Sequence, residues 1–324
     1  MMANLSDLVR SHNAESHCIH LKKPTGKNEE DGTEESIEND YPKNTRPLES
    51  QVAGHEFMCG KIKIGMLKHE DGYLMKPIVR PVQGERELAF YEQVQQSSDP
   101  ILSTFKTFIP EYYGSSVVKV NGTEVKFILL KDMTHGFKEP CIMDVKIGKQ
   151  TWEPGASAEK EKSEKIKYAD SKNALSFCIP GFQVYDVNSK IYSKFGKDYG
   201  KQMDANGVYE ALRMFLNHES GASKYILPPV IDQLRTALEL FKNQKVFHIY
   251  SSSILMAYDA AVLRQLNASD SQNSVQSQQI GLKSWYCVSL IDFAHVVPAN
   301  DQLDFNYISG IQSLVKVLEN IQSS

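Results

Sequence analysis

The sequence contains no run of about 18 consecutive apolar residues, the length a helix needs to cross a bilayer. Its N-terminal segment has no continuous apolar stretch of the signal-peptide kind, so neither secretion nor membrane spanning is expected. The five cysteines, Cys18, Cys59, Cys141, Cys178 and Cys287, form no C-x-x-C pair and have no histidines at zinc-site spacing. Scattered and odd in number, they read as reduced thiols of an intracellular protein. Neither charge sign dominates: 36 basic against 40 acidic residues give a formal net charge of -4. No global basic field is available for nucleic acid or an anionic membrane, so any anion site must be local. A cluster of five or more basic residues is also missing. So is a true G-x-G-x-x-G loop, for which GKIKIG is a weak substitute, and this argues against an ordinary protein kinase.

The 324 residues, 41% hydrophobic and 23% charged, have the composition of a soluble globular chain with one large core or two lobes. Residues 1–50 are polar and mixed in charge. They carry too little apolar area to offset the entropy of ordering, so a disordered tail is expected there. A flexible loop is expected over about 265–282, around NASDSQNSVQSQQ. Between them, KIKIGML and YLMKPIV flank the turn signal HEDG and read as an antiparallel pair. GERELAFYEQVQQ places Leu88, Tyr91 and Gln95 at helical spacing. In VVKVNGTEVKFILL, Asn121-Gly122 sits between two alternating arms, the residue pair a type I′ hairpin requires. The resulting β-β-α-β-β lobe occupies residues 51–133.

From 134 to 324 helix predominates. One stripe is Val208, Leu212, Phe215 and Leu216; a second, after the start signal Pro228-Pro229, is Ile231, Leu234, Leu238 and Phe241. Ile308 to Leu318 form a C-terminal helix, and Val246–Tyr258 and Trp285–Ile291 read as strands. The expected class is α+β: a small β-rich lobe, a larger α+β lobe, and a cleft suited to a nucleotide between them.

Several residue patterns suit phosphoryl transfer, each with a plainer alternative. In PCIMDVKIG, Asp144 and Lys146 stand at i and i+2 on a strand and project a carboxylate and an ammonium to one side, unless they form only a surface ion pair on an edge strand. Lys76, a charge within an apolar strand, needs a partner or an exposed face; Glu87 is the natural partner and Glu85 the alternative. Asp292, directly after the apolar run in LIDFAH, can hold a metal ion or cap a turn. His295 can face the same cleft or be structural. GASAEKEKSEKIKYADSK (155–172) has helical propensity without an apolar stripe, and it aligns Lys160, Ser163, Glu164 and Lys167 on one face. That pattern also describes a solvated helix held by i,i+4 pairs.

PCIMDVKIG resembles the P-x-x-x-D-x-K-x-G signature of the inositol polyphosphate kinases. GERELAFY, DMTHGFKEP, GASAEK, YSSSILMAYD and SLIDFAH resemble further family segments in family order, over roughly residues 54–320, and the likeness is greatest to the family's multikinases. The resemblance implies the two-lobed kinase-like (SAICAR synthase-like) fold, with ATP and Mg²⁺ as cofactors. It places Lys76 on the ATP phosphates with Glu87 as partner, Lys131, Asp132 and Met133 at the adenine hinge, Asp144 on the ribose and Asp292 on the metal. Lys146, Lys160 and Lys167 fall on the inositol phosphate, the short helical segment at about 155–172 being the inositol-binding helix; His295, read from its position alone, can contact a substrate phosphate if it faces the cleft. Where the family's multikinases carry glutamines and an arginine, this chain has Ser163, Glu164 and Gln183, so the substrate shell is altered; Lys197 and Lys201 can supply replacement charge or form a basic turn.

Beside the family's trisphosphate 3-kinases the stretch from Gly148 to Phe182 is short, which suits an open site, and the resemblance then implies an enzyme taking inositol 1,4,5-trisphosphate and its tetrakisphosphate product at the 3- and 6-positions to the pentakisphosphate. A phosphoinositide headgroup is a further expected acceptor. The resemblance also implies residence in nucleus and cytoplasm; a monomer is expected, and the charge balance predicts no nucleic-acid partner. Competing readings are a trisphosphate 3-kinase, a hexakisphosphate kinase, and a kinase-like inositide-binding scaffold without catalysis.

Overall fold

The computed structural model describes residues 41–52, 57–59, 62–270 and 285–324. Most of the expected tail (1–40) and the centre of the expected loop (271–284) lie outside the described residues. The tail boundary needs correction, because Thr45–Pro47 is a strand, β1, hydrogen-bonded antiparallel to β4 (Leu67–His69). Three residues gain sheet partners there despite weak local propensity. Phe57–Cys59 (β2) and Ile62–Ile64 (β3) form a separate two-stranded ladder. KIKI therefore does not continue into β4. The turn His69–Gly72, with Gly72 at φ +87°, joins β4 to β5 (Tyr73–Pro77).

Helix α1 (Pro81–Gln96) follows, with proline in its first turn, where a missing N–H costs nothing. Its inward stripe is Leu88, Tyr91 and Val94; Gln95 is exposed. The segment Pro100–Phe108, not anticipated as helix, forms α2, its N-terminus capped by Asp99 accepting from the amides of Ile101 (2.8 Å) and Leu102 (3.1 Å). The hairpin β6 (Tyr112–Val120) and β7 (Thr123–Lys131) turns at Asn121 and Gly122, both at positive φ as a type I′ turn demands. These strands complete a five-stranded antiparallel sheet in the order β1-β4-β5-β7-β6.

The second sheet, also five-stranded, starts with β8 (Pro140–Ile147). Then come two helices where one was expected, α3 (Ala158–Ile166) and α4 (Ala169–Leu175). They separate at Tyr168, a buried residue held at φ +56°, which no continuous α-helix accommodates. Two unanticipated strands follow, β9 (Phe177–Tyr185) and β10 (Tyr192–Phe195), then α5 (Lys197–Lys201) and α6 (Ala205–Phe215). Helix α7 (Ser223–Asn243) begins before Pro228-Pro229 and carries both prolines inside it. Their lost hydrogen bonds are offset by the burial of Ile226, Leu227, Val230 and Ile231 around them.

The expected strand Val246–Tyr258 is two, β11 (Phe247–Ile249) and β12 (Ser253–Asp259), divided where Ser251 adopts φ +54°. Helix α8 (Ala260–Asp270) takes up the first part of the expected loop. Strands β13 (Tyr286–Ile291) and β14 (Val296–Pro298) and helix α9 (Phe305–Gln322) complete the described chain. The second sheet runs β10-β9-β8-β12-β13, every pairing antiparallel. Against it lies the main core, which joins Met143, Val145 and Ile179 to Leu212 and Phe215 of α6, Leu234 and Phe241 of α7, and Ile311 and Leu314 of α9.

Candidate active site

Strand β8 lies in the middle of its sheet, between β9 and β12, which removes the possibility of an ion pair on a sheet edge. Its chain leaves the strand at Gly148, at φ +96°, where an added Cβ would stand 2.3 Å from the Asn306 side chain. Asn306 closes this corner by exchanging hydrogen bonds with the backbone of Gln150, both at 2.9 Å. At the other end, Asp259 accepts from the amides of Lys138 and Glu139 (both 2.9 Å) and fixes the entry into β8.

The first sheet supplies Lys76 from β5. Its ammonium bridges Glu87 Oε1 of α1 at 2.8 Å and Asp292 Oδ1, beyond the end of β13, at 2.5 Å. Glu85 instead pairs with Lys126 at 2.8 Å, so Glu87 is the helix partner of Lys76. Burial opposes the lysine charge, but Asp292 and Glu87 more than offset it and hold the ammonium above the usual lysine range. Glu87 also accepts from the Phe293 amide (3.1 Å). Phe293 is fully buried and stacks on Phe90 of α1 at 4.0 Å between centroids. These contacts hold Asp292 at φ +66°, a backbone conformation uncommon outside glycine and costly unless its surroundings enforce it.

Asp144 is 6% exposed, and burial is the main cause that pushes its carboxyl up to about 6. Lys146 and Lys76 pull it down, while Asp292 pushes it up, so these four charges share one electrostatic neighbourhood. Ser253 is near enough to ease the charge, yet neither its hydroxyl nor Asp144 Oδ1 completes a hydrogen bond. A buried carboxylate oxygen without a donor suits a ligand hydroxyl or a cation. The β8–β9 ladder is irregular between Asp144 and Lys146, and the Lys146 ammonium donates to Ser251 O at 2.7 Å and Oγ at 3.1 Å. Asp144 and Lys146 are thus neighbours by charge, each with its own contacts.

At the junction between the sheets, the Lys131 amide donates to Glu111 O (2.9 Å) and the Asp132 amide to Gly72 O (3.0 Å). The Asp132 carboxylate is buried, paired with Lys68 at 2.6 Å, and accepts from the Thr134 amide at 2.9 Å and hydroxyl at 2.7 Å. It caps the turn that follows. Met133 packs beside Ile142, Ala257 and Cys287 at the foot of the second sheet.

Helix α3 brings Lys160 and Lys167 together on Glu164, whose Oε1 accepts from both, at 2.8 and 2.9 Å. Ser163 is exposed. Lys172 of α4, only 2% exposed, donates to Glu164 O at 2.5 Å and lies within electrostatic reach of Lys146 and Lys167. The lysines of α3 and α4 therefore adjoin the Asp144 cluster. His295 is held by Glu153, its Nδ1 lying 2.5 Å from Oε2, which also accepts from Arg86 at 2.8 Å.

Two groups of expected substrate residues stand differently. Gln183 lies on β9 opposite Ile142, and its amide donates to Pro140 O at 3.0 Å, at the end of β8 away from Lys146. That backbone bond, not a ligand-facing position, occupies the side chain. Lys201 pairs within its own short helix with Asp198 at 2.9 Å, and Lys197 helps pull the same carboxyl down. Sequence reasoning missed Glu153, Arg86, Thr151 and Lys172, which enter the site through contacts between distant segments and carry no local signal.

Residues 127–319 match the profile of the family described as inositol polyphosphate kinase. Over 217 residues the chain is 34% identical to the inositol polyphosphate multikinase of Homo sapiens, covering 66% of this chain and 51% of that protein. The chain thus spans about half the length of the mammalian multikinases it matches. With the multikinase beta of Arabidopsis thaliana the identity is 30% over 293 residues, 85% of this chain and 93% of the relative. The fold is that of the S. cerevisiae inositol phosphate multikinase solved with ADP and Mn²⁺, at a TM-score of 0.59 and 22% identity, covering 77% of this chain and 99% of that one. A two-lobed kinase-like architecture, the charge cluster between its sheets and these likenesses lead to one conclusion: the chain belongs to the inositol polyphosphate kinase family.

Proposed function

We propose that this chain is an ATP-dependent inositol polyphosphate kinase of the multikinase type. It transfers the ATP γ-phosphoryl group to the 3- and 6-hydroxyls of inositol 1,4,5-trisphosphate and its tetrakisphosphate product, yielding a pentakisphosphate. The observation that carries the reading is the Lys76 ammonium bridging Glu87 and Asp292, with Asp144 in electrostatic range. In this reading Lys76, oriented by two carboxylates, donates to the ATP phosphates. Asp144 accepts from the ribose hydroxyls, and the hinge Lys131-Asp132-Met133 receives the adenine edge through its backbone. A divalent cation, taken as Mg²⁺ and held by Asp292, would offset charge on the transferred phosphoryl group. Lys146, Lys160 and Lys167 hold the acceptor, and His295, oriented by Glu153, reaches one of its phosphates.

The acceptor oxygen forms the new P–O bond as the bond to ADP breaks, and the hydroxyl proton leaves to solvent. Alignment and lysine charge supply the acceleration. Only α3 and α4, of nine and seven residues, stand between β8 and β9, which supports an open acceptor site able to take more than one isomer. The same openness extends the reading to the headgroup of phosphatidylinositol 4,5-bisphosphate. Residence in nucleus and cytoplasm belongs to the reading on resemblance alone, and a monomer is its simplest form.

The test is incubation with Mg²⁺, ATP and inositol 1,4,5-trisphosphate, with products separated by isomer, beside Asp144→Ala. Stepwise formation of a tetrakisphosphate and a pentakisphosphate, lost in the variant, is the expected result. A single tetrakisphosphate would replace the multikinase by a 3-kinase, and no turnover of any inositol phosphate would leave a binding scaffold.

A further inference from the structure

Glu164 is a carboxylate at the centre of a surface otherwise lined by ammonium groups. Its Oε1 accepts from Lys160 and Lys167, and its Oε2 from the Thr151 hydroxyl at 3.0 Å. The side chains of Lys160 and Lys167 are 43% and 47% exposed, that of Glu164 only 10%. The lysines form a rim and the carboxylate its floor. An arriving anion meets two ammonium groups with N–H donors to spare, backed at hydrogen-bond distance by a negative charge.

Helix stability accounts for this charge only in part, through Glu164 and Lys167 at i,i+3 in the favourable order. Glu164 lies in the last turn of α3, where the helix dipole disfavours a carboxylate, and Lys160 precedes it in the weaker i,i+4 order. A glutamine would offer Thr151 the same acceptor without the charge. Burial opposes ionisation, but the bonds from Lys160 and Lys167 more than offset it and hold the carboxyl at about 2. The group is therefore an anion throughout the neutral range.

Resting on the kinase reading above, we propose that Glu164 is a specificity-determining residue, a built-in counter-anion that tempers the Lys160–Lys167 rim. With a surplus of one positive charge instead of two, acceptor affinity climbs only gently as phosphates are added. Inositol trisphosphate and tetrakisphosphate are then held with comparable strength.

The experiment compares the full chain with Glu164→Gln and Glu164→Ala, using inositol 1,4,5-trisphosphate and an inositol tetrakisphosphate as acceptors at several KCl concentrations. Binding of both acceptors without ATP is measured alongside. Removing one negative charge at this range should lower KM and Kd by about 3- to 10-fold, more for the tetrakisphosphate, with the effect in KM rather than kcat. The salt dependence of KM should steepen. An unchanged or raised KM in Glu164→Gln, whose shape preserves the Thr151 contact, would overturn the proposal and leave Glu164 a positioning residue for its lysines. Wild-type chain that turns over no inositol phosphate would overturn the kinase reading itself, which separates the two failures.

Discussion

Two ionic groups of opposite composition face the same region. At Lys76 one ammonium is shared by two carboxylates, Glu87 and Asp292; at Glu164 one carboxylate is shared by two ammonium groups, Lys160 and Lys167. The first carries a surplus negative charge and the second a surplus positive one. Their settings differ as well. Glu87 is buried and anchored through Phe293, whereas the α3 lysines stand nearly half exposed. In the proposed reading the surplus sign matches what each group takes: a cation with its phosphates beside Asp292, a bare polyanion at α3. Burial indicates how strictly each is held.

The largest effect should follow from breaking the buried group. Lys76→Met leaves Glu87 and Asp292 facing each other without a cation, and kcat should fall by about 100- to 1,000-fold. Stability should drop by about 3 kcal/mol or more, read from chemical denaturation, because two carboxylates lose their counter-charge. A variant of undiminished stability would mean that Lys76 is not the group holding them.

Next in size is Asp144→Asn. Loss of an acceptor to a charged hydrogen bond should cost about 10- to 100-fold in kcat/KM. Stability should move the other way. The folded carboxyl is raised from 3.8 to about 6, so its contribution is fully present below the unfolded value and is lost as pH rises through about 6. Relative to Asp144→Asn, the wild-type chain should lose about 3 kcal/mol between pH 3, below the unfolded value, and pH 7, the shift converted at 1.36 kcal/mol per unit. Denaturation curves of both proteins across that range check the sign, and a flat difference would show Asp144 fully compensated. Wild-type turnover should show an acid limb near pH 6 that the variant lacks.

What could be read from the sequence was local. Asn121-Gly122 requires a hairpin whatever surrounds it, and the apolar runs around Asp144 and Asp292 mark strands that end at a cleft. The pairing of Lys76 with Glu87, eleven residues apart, is a short strand-to-helix step and was within reach. Its second partner, Asp292, is 216 residues away and no periodicity points to it. The Arg86–Glu153–His295 group is likewise built from three separate segments. Lys172 looked like one more solvated lysine, because burial of a charge is decided by the turn at Tyr168 that folds α4 back. Thr45–Pro47 has little propensity of its own and is a strand because β4 offers an edge.

The exposed group should give a smaller and purer effect. Lys167→Ala should raise KM for inositol 1,4,5-trisphosphate by about 10-fold, the loss of one charged hydrogen bond, with kcat nearly kept and little change in stability. A fall in kcat as large as the rise in KM would place Lys167 with the buried group, and the contrast between the two would fail.

The smallest effect is expected at Gln183. Resemblance puts this residue in the substrate shell, while the structure gives its amide to Pro140 O and leaves the α3 lysines without it. If the surplus positive charge of α3 is what binds the acceptor, Gln183→Ala should change KM by less than about twofold. Its cost should instead be about 1 kcal/mol of stability, the worth of one backbone hydrogen bond. Kinetics and denaturation on the one variant decide the matter. A rise in KM equal to that of Lys167→Ala at unchanged stability would move Gln183 into the acceptor site, and the site would then extend along β9 beyond the reach of the two ionic groups.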